Sequence, residues 1–307
     1  MSEAPPAADT LPDGDYVSPG LAIIRPDACF PHMVLGDAMS HPWPYLRKEV
    51  RHNWYVDERY PLMGFVSRDE AAILHNMALA FAGKRALEIG CWHGWSTCHL
   101  ALGGVELDVI DPKLADAAHE AEFTAMLTCA GVSSTVRLRG GSSPAMVEQL
   151  AAAGCGPWAL FFVDGDHEAP APEVDVEACL PHAAPDCAFL FHEVASPHVA
   201  EGLRQLEACG FNVMLYQTMQ IMAVAWRGRI QPIQHIPDPA VVWQLPHHLV
   251  GLPVSGVDLP SYAVGLRQKL AEQSAQVAQL QMQVAERDAA FAQAQRPSMW
   301  RRILGRL

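Results

Sequence analysis

The chain has 307 residues, half of them hydrophobic, and a formal charge of −13. That length supports one full core plus appendages, and the acid excess excludes a nucleic-acid partner, whose phosphate backbone needs a basic face. No stretch reaches the roughly 18 uninterrupted apolar residues of a membrane span, and residues 1–15 lack the basic and apolar regions of a signal peptide. The eight cysteines form no C-x-x-C pair and no regular framework. They read as reduced thiols in a cytoplasmic protein.

Residues 1–66 carry many prolines, which prevent long helices, and a cluster of aromatics, among them Trp43, Trp54 and Phe65. We read an irregular arm or lid that packs on the body. Residues 67–228 then alternate helix and strand signals. Ser67 with Glu70 forms a capping box ahead of an apolar face made by Ile73, Leu74, Met77, Ala78 and Phe81. After it the pattern predicts strands at 86–90, 105–110, 135–139, 158–163 and 187–192. Helices are predicted from Ser96 and over 114–130, 144–153, 171–180 and 198–209. Two closing strands, 211–217 and 220–226, form a hairpin. The alternation implies an α/β fold: a doubly wound, mostly parallel seven-stranded sheet with right-handed crossovers.

The first strand runs into Leu87-Glu88-Ile89-Gly90-Cys91-Trp92-His93-Gly94-Trp95-Ser96. A strand ending in a glycine turn that opens a helix is where α/β folds bind nucleotide-like ligands. A dinucleotide fingerprint would need glycines at 92 and 95, and both are Trp. Two indoles would fill the space of a pyrophosphate. The pattern E-x-G-x-x-x-G-x-S suits a ribose and an adenine without phosphates, as in S-adenosylmethionine (SAM). Asp111, at the tip of the next strand and about twenty residues on, is placed to accept ribose hydroxyls. Ser142 and Ser143 follow the third strand and could put a hydroxyl near the adenine. Trp92, Trp95 and Trp158 could line its wall.

Two polar clusters end consecutive strands: Asp164-Gly165-Asp166-His167 and His192-Glu193. Neighbouring strands would bring Asp164 and Glu193 together at the carboxyl edge of the sheet. Carboxylates brought close share a proton or bind a cation, and an oxygen-rich set suits Mg²⁺ or a similar divalent ion. Asp166 or His167 could take the proton of a substrate hydroxyl as general base.

These motifs resemble class I SAM-dependent methyltransferases, within them the macrocin and mycinamicin type of sugar O-methyltransferase. The resemblance covers about residues 67–228. It implies a seven-stranded sheet with a reversed last strand, and cofactor binding by Glu88, Gly90, Gly94, Ser96, Asp111, Ser142, Ser143 and Asp164. It further implies a metal held by Asp164 and Glu193, with His192 where some relatives have a further metal-binding acid. Asp166 or His167 matches the base, and the acceptor is a small molecule or glycan. The alternative is a binding or scaffold protein that kept the fold without turnover.

Residues 229–261 are Pro-spaced and read as an extended linker. Residues 262–307 read as a long helix. Leu270, Val277, Val284 and Phe291 recur every seven residues, with Leu266 and Leu280 at the companion position, a coiled-coil signal for a homo-oligomer. The tail 297–307 is basic and amphipathic with one Trp, able to make weak peripheral contact with an anionic membrane surface.

Overall fold

The computed structural model describes residues 15–50, 52–256, 276–285 and 287. The chain divides into two compact units, one ending at Gly256 and one beginning at Val257. The first opens with the arm, in which β1 (Met33–Leu35) and β2 (Tyr55–Asp57) pair antiparallel. Then come α1 (Arg68–Ala80), β3 (Arg85–Ile89), α2 (Trp95–Leu102), β4 (Glu106–Asp111), α3 (Ala117–Cys129) and β5 (Val136–Gly140). The second half of the sheet is built by α4 (Ala145–Ala152), β6 (Trp158–Val163), α5 (Ala171–Cys179), β7 (Ala183–Phe191) and α6 (Pro197–Ala208), closing with β8 (Asn212–Tyr216) and β9 (Met222–Arg227).

The seven strands lie in the order β5-β4-β3-β6-β7-β9-β8, and only β9 runs against its neighbours. This is a Rossmann-like sheet of the kind found in methyltransferases. Its central strand β6 is apolar and buried along its whole length, as a sheet covered on both sides requires. Phe161 and Phe189, stacked with centroids 4.1 Å apart, tie β6 to β7. Chain order reverses between β3 and β6, so their carboxyl ends open a crevice at the switch point.

Several expectations need correction. The helix predicted over 114–130 is a 3₁₀ turn (Pro112–Ala115) followed by α3, because Asp116 caps a new helix by accepting from Ala118 N and His119 N. Strand β7 begins four residues before the predicted 187. The cysteines are not all reduced: Cys29 and Cys129 form a disulfide with Cα atoms 5.6 Å apart, fastening the arm to the end of α3. The Pro-spaced segment after 228 packs on the body as far as Gly256. There His235, with no exposed surface, meets Asp69 at 2.7 Å, while its N–H donates to Ser255.

In the second unit, residues 276–285 are helical and Val277, Leu280 and Val284 are exposed. The heptad positions Leu266, Leu270 and Phe291, and the tail 297–307, lie outside the described residues. Among the described residues no helix is long and apolar enough to cross a membrane.

Candidate active site

The glycine turn after β3 is fixed by backbone sterics. Gly90 has φ +82°, and a Cβ there would sit 2.1 Å from the carbonyl oxygen of Asp164, so only glycine fits between β3 and β6. Gly94, at φ +86°, caps α2 and lies against Phe123 and Met126. Trp92 takes φ 45°, a left-handed conformation that L-residues other than Asn and Asp rarely adopt. Asp111, at the tip of β4, holds the turn: its Oδ2 accepts from Cys91 N at 3.0 Å and Trp92 N at 3.3 Å. Its Oδ1 accepts from Lys113 N and keeps a lone pair for a ligand. The Lys113 ammonium lies 3.3 Å over the Trp92 ring.

Glu88 sits beneath this turn. It is fully buried and accepts from Ser96 Oγ and Thr97 Oγ1, both at 2.6 Å. Burial pushes its carboxyl up to about 8 despite the two hydroxyls, with the charges of Asp164 and Asp111 adding to the rise. Glu88 does not line the cavity, whereas Gly90, Ser96, Asp111, Ser142, Ser143 and Asp164 do. Glu88 therefore braces the start of α2. Trp92 and Trp95 line the cavity, as expected. Trp158 does not: it is fully buried and donates its indole N–H to Asp108 at 2.9 Å.

At the tips of β6 and β7, carboxylates and imidazoles alternate. Glu70 Oε2 lies 3.5 Å from His192 Nε2, and His192 Nδ1 is 3.1 Å from Asp164 Oδ1. His167 Nε2 is 3.2 Å from the same oxygen, and His167 Nδ1 is 2.8 Å from Glu193 Oε2. Burial opposes charge on Glu70, Asp164, His167 and His192. For Asp164, the two imidazoles outweigh it and hold the carboxyl down at about 2. Glu70 is likewise held at about 2, by His192 and by N–H donors from Gln220 and Ser67. His167 is pushed up to about 10 by its bonds to Asp164 and Glu193, and His192 is raised well above the usual imidazole range. The neighbouring carboxylates thus favour the protonated form of both imidazoles.

Glu193 stands at φ 55°, and Gln220 Nε2 donates to its Oε1. Such strained backbone gathers at functional sites. Asp166 is exposed, lines the cavity, and accepts from Glu168 N through Oδ1 at 3.0 Å.

The structure thus brings Asp164, Asp166, His167, His192 and Glu193 to one sheet edge. Sequence reasoning missed Glu70 as more than a helix cap and did not single out Gln220. As a metal site the cluster fits poorly. The His167 imidazole already lies between the two carboxylates, and no group of three or more His, Cys, Asp or Glu among the described residues is arranged to hold an ion.

Asp164, Asp166, His167, His192, Glu193 and Gln220 border one cavity of about 830 Å³. Its floor is the strand tips. Its roof comes from the arm: His41, Trp43, Trp54 and residues 62–66 line it, with the Trp43 ring 5.6 Å from that of His167.

Residues 87–194 match a family model described as a methyltransferase domain. No curated protein sequence matches the chain. Among solved structures, the chain is similar to an O-methyltransferase from Bacillus cereus in complex with SAH (S-adenosylhomocysteine), at 17% identity and TM-score 0.48, over 53% of this chain and 83% of that one. It is also similar to an O-methyltransferase involved in tomaymycin synthesis from Streptomyces achromogenes, in complex with SAM. There the identity is 19% and the TM-score 0.45, over 53% and 82% of the two chains. The matched span holds every acid and imidazole of the cluster except Glu70. Residues 87–194 carry a methyltransferase domain.

Proposed function

We propose that the protein is a SAM-dependent O-methyltransferase acting on a hydroxyl of a sugar, glycan or other small polyol. The observation that carries this reading is the single cavity joining the glycine turn, Asp111 and Ser142–Ser143 to Asp166, His167 and Glu193. Its volume suits a cofactor and a small acceptor together. The cradle at Gly90, which a Cβ would fill, and the free lone pair on Asp111 fit an adenosyl group without phosphates.

When bound, SAM supplies a sulfonium methyl that an acceptor oxygen can attack in line; the C–O bond forms as the C–S bond breaks, leaving the thioether SAH. The chain's own residues handle the acceptor proton. His167 lies 3.2 Å from Asp164 Oδ1 and 2.8 Å from Glu193 Oε2, and these two carboxylates favour its protonated form, which makes it the poorer acceptor for that proton. Asp166, on the cavity wall with one backbone hydrogen bond, takes it as general base. The His167 imidazolium holds Asp164 and Glu193 together, a task that a divalent cation would otherwise serve.

The test is methyl transfer from isotopically labelled SAM to methyl pyranosides, run with EDTA and with Mg²⁺. Transfer that persists in EDTA and is lost in Asp166→Asn is the expected result. Transfer only with Mg²⁺ replaces the imidazolium with an ion at Asp164, Glu193 and His192. No transfer in either condition removes the reading. We further propose self-association through the helix carrying Val277, Leu280 and Val284, which sedimentation of the full chain would test.

A further inference from the structure

The acceptor half of the cavity holds polar atoms that the fold leaves unused. The indole N–H of Trp43 and the side-chain carbonyl of Gln220 are buried and have no hydrogen-bond partner. A buried polar atom left unpaired costs about 1–3 kcal/mol, so folded proteins keep few of them and each calls for a reason. Both residues line the main cavity, and both stand beside the reacting groups. The Trp43 ring is 5.6 Å from the His167 ring. The Gln220 amide nitrogen is committed to Glu193, which leaves its oxygen as the free end.

Neither residue is placed by chance packing. Arg47, buried and four residues after Trp43, donates to Gln217 Oε1 and to the Thr218 carbonyl, both at 3.2 Å. It thereby ties the arm to the loop that carries Gln220. Gln220 N in turn donates to Glu70 at 3.0 Å, and Ala195 N donates to the Gln220 carbonyl. Trp54, 4% exposed, backs this wall, with its ring 4.8 Å from that of His41.

We infer that Trp43 and Gln220 form the acceptor-binding subsite and select a neutral ring bearing adjacent hydroxyls. The inference rests on the methyltransferase reading above and assigns its substrate side. An indole N–H only donates and an amide oxygen only accepts, while Asp166 on the wall of the same cavity accepts a proton. A hydroxyl does both, so neighbouring hydroxyls on one ring satisfy all three groups. The face of the Trp43 ring meets the C–H face of the same molecule. A substrate carboxylate brought into a pocket already lined by Asp164, Asp166 and Glu193 would meet like charge.

The test uses full-length protein saturated with SAH and reads the indole N–H signals by ¹H–¹⁵N NMR, with Trp43 assigned by Trp43→Phe. The probes are the methyl pyranosides of glucose, galactose, mannose and rhamnose, with cyclohexanol and benzoate as controls. The inference predicts that at least one pyranoside moves the Trp43 signal saturably and that neither control does. Trp43→Phe, which keeps the ring, and Gln220→Met, which keeps the length, each weaken that pyranoside about five- to tenfold. They leave SAH affinity within twofold. An unmoved Trp43 signal, an equal response to cyclohexanol, or unchanged pyranoside affinity in Trp43→Phe would overturn it. SAH addition itself should move the Trp92 signal. If it does not, the cofactor reading fails first, and the two failures are told apart.

Discussion

The two halves of the cavity are built in different ways. The cofactor half is backbone: a glycine turn, strand tips, and one carboxylate bonded to the N–H groups of residues 91 and 92. The acceptor half is side chain, assembled from an arm before residue 67, the cap of α1, two strand ends and the 217–220 loop. A site made of backbone tolerates almost no substitution at its turn. A site made of side chains can change its preference while the fold stays put.

The largest effect should come from breaking the backbone half. Gly90→Ala places a methyl group 2.1 Å from the Asp164 carbonyl at a φ of +82°. Thermal melts with and without SAH should lose the ligand-dependent stabilisation entirely. In the wild type that stabilisation reaches about 2.7 kcal/mol at a hundredfold excess over Kd. The acceptor half should be more forgiving. Replacing Cys29 and Cys129 with Ser removes the covalent tie of the arm and should cost about 2–4 kcal/mol in denaturant unfolding. SAH affinity should not change, because Arg68 still pairs with Asp15 at 2.7 Å and with Asp27.

Two smaller effects separate the halves by pH. The His167 pKa is raised from 6.5 to about 10, so its contribution to stability is complete below pH 6.5 and fades as pH rises toward 10. The stability gap between wild type and His167→Gln, followed by urea titration, should therefore close over that range. A gap that widens with pH would contradict the ion-paired imidazole. Glu88, raised from 4.5 to about 8, also favours folding only while protonated. Wild type should lose stability between pH 4.5 and 8 in a way that Glu88→Gln does not. SAH affinity should survive that substitution, since Glu88 lies behind the turn rather than in the cavity.

The same contrast explains what the sequence disclosed. Gly90, Asp111, Asp164 and Glu193 were legible because strand periodicity places each at a strand tip, and strand tips converge on one edge whatever the loops do. The mostly parallel sheet followed from the same alternation, whereas the strand order is given by the structure alone. Glu70 was visible only as a capping partner of Ser67, since nothing local announces that its carboxylate also reaches His192 and Gln220 N, the latter 150 positions away. Trp43 lies in a segment without periodicity, where contacts depend on the folded arm, and Gln220 opens a predicted strand that in the structure starts only at Met222, leaving Gln220 in the preceding turn. Glu88 shows the opposite failure. It belongs to the right motif, yet its side chain turns to the hydroxyls of Ser96 and Thr97 beneath the turn. The Cys29–Cys129 bond was hidden because it joins the arm to α3 across 100 residues with no spacing pattern.

Calorimetric titration with SAH tests the central claim most directly. The account predicts one saturable site in the wild type, kept in Glu88→Gln and absent in Gly90→Ala. No heat in the wild type, or equal heat in wild type and Gly90→Ala, would contradict it.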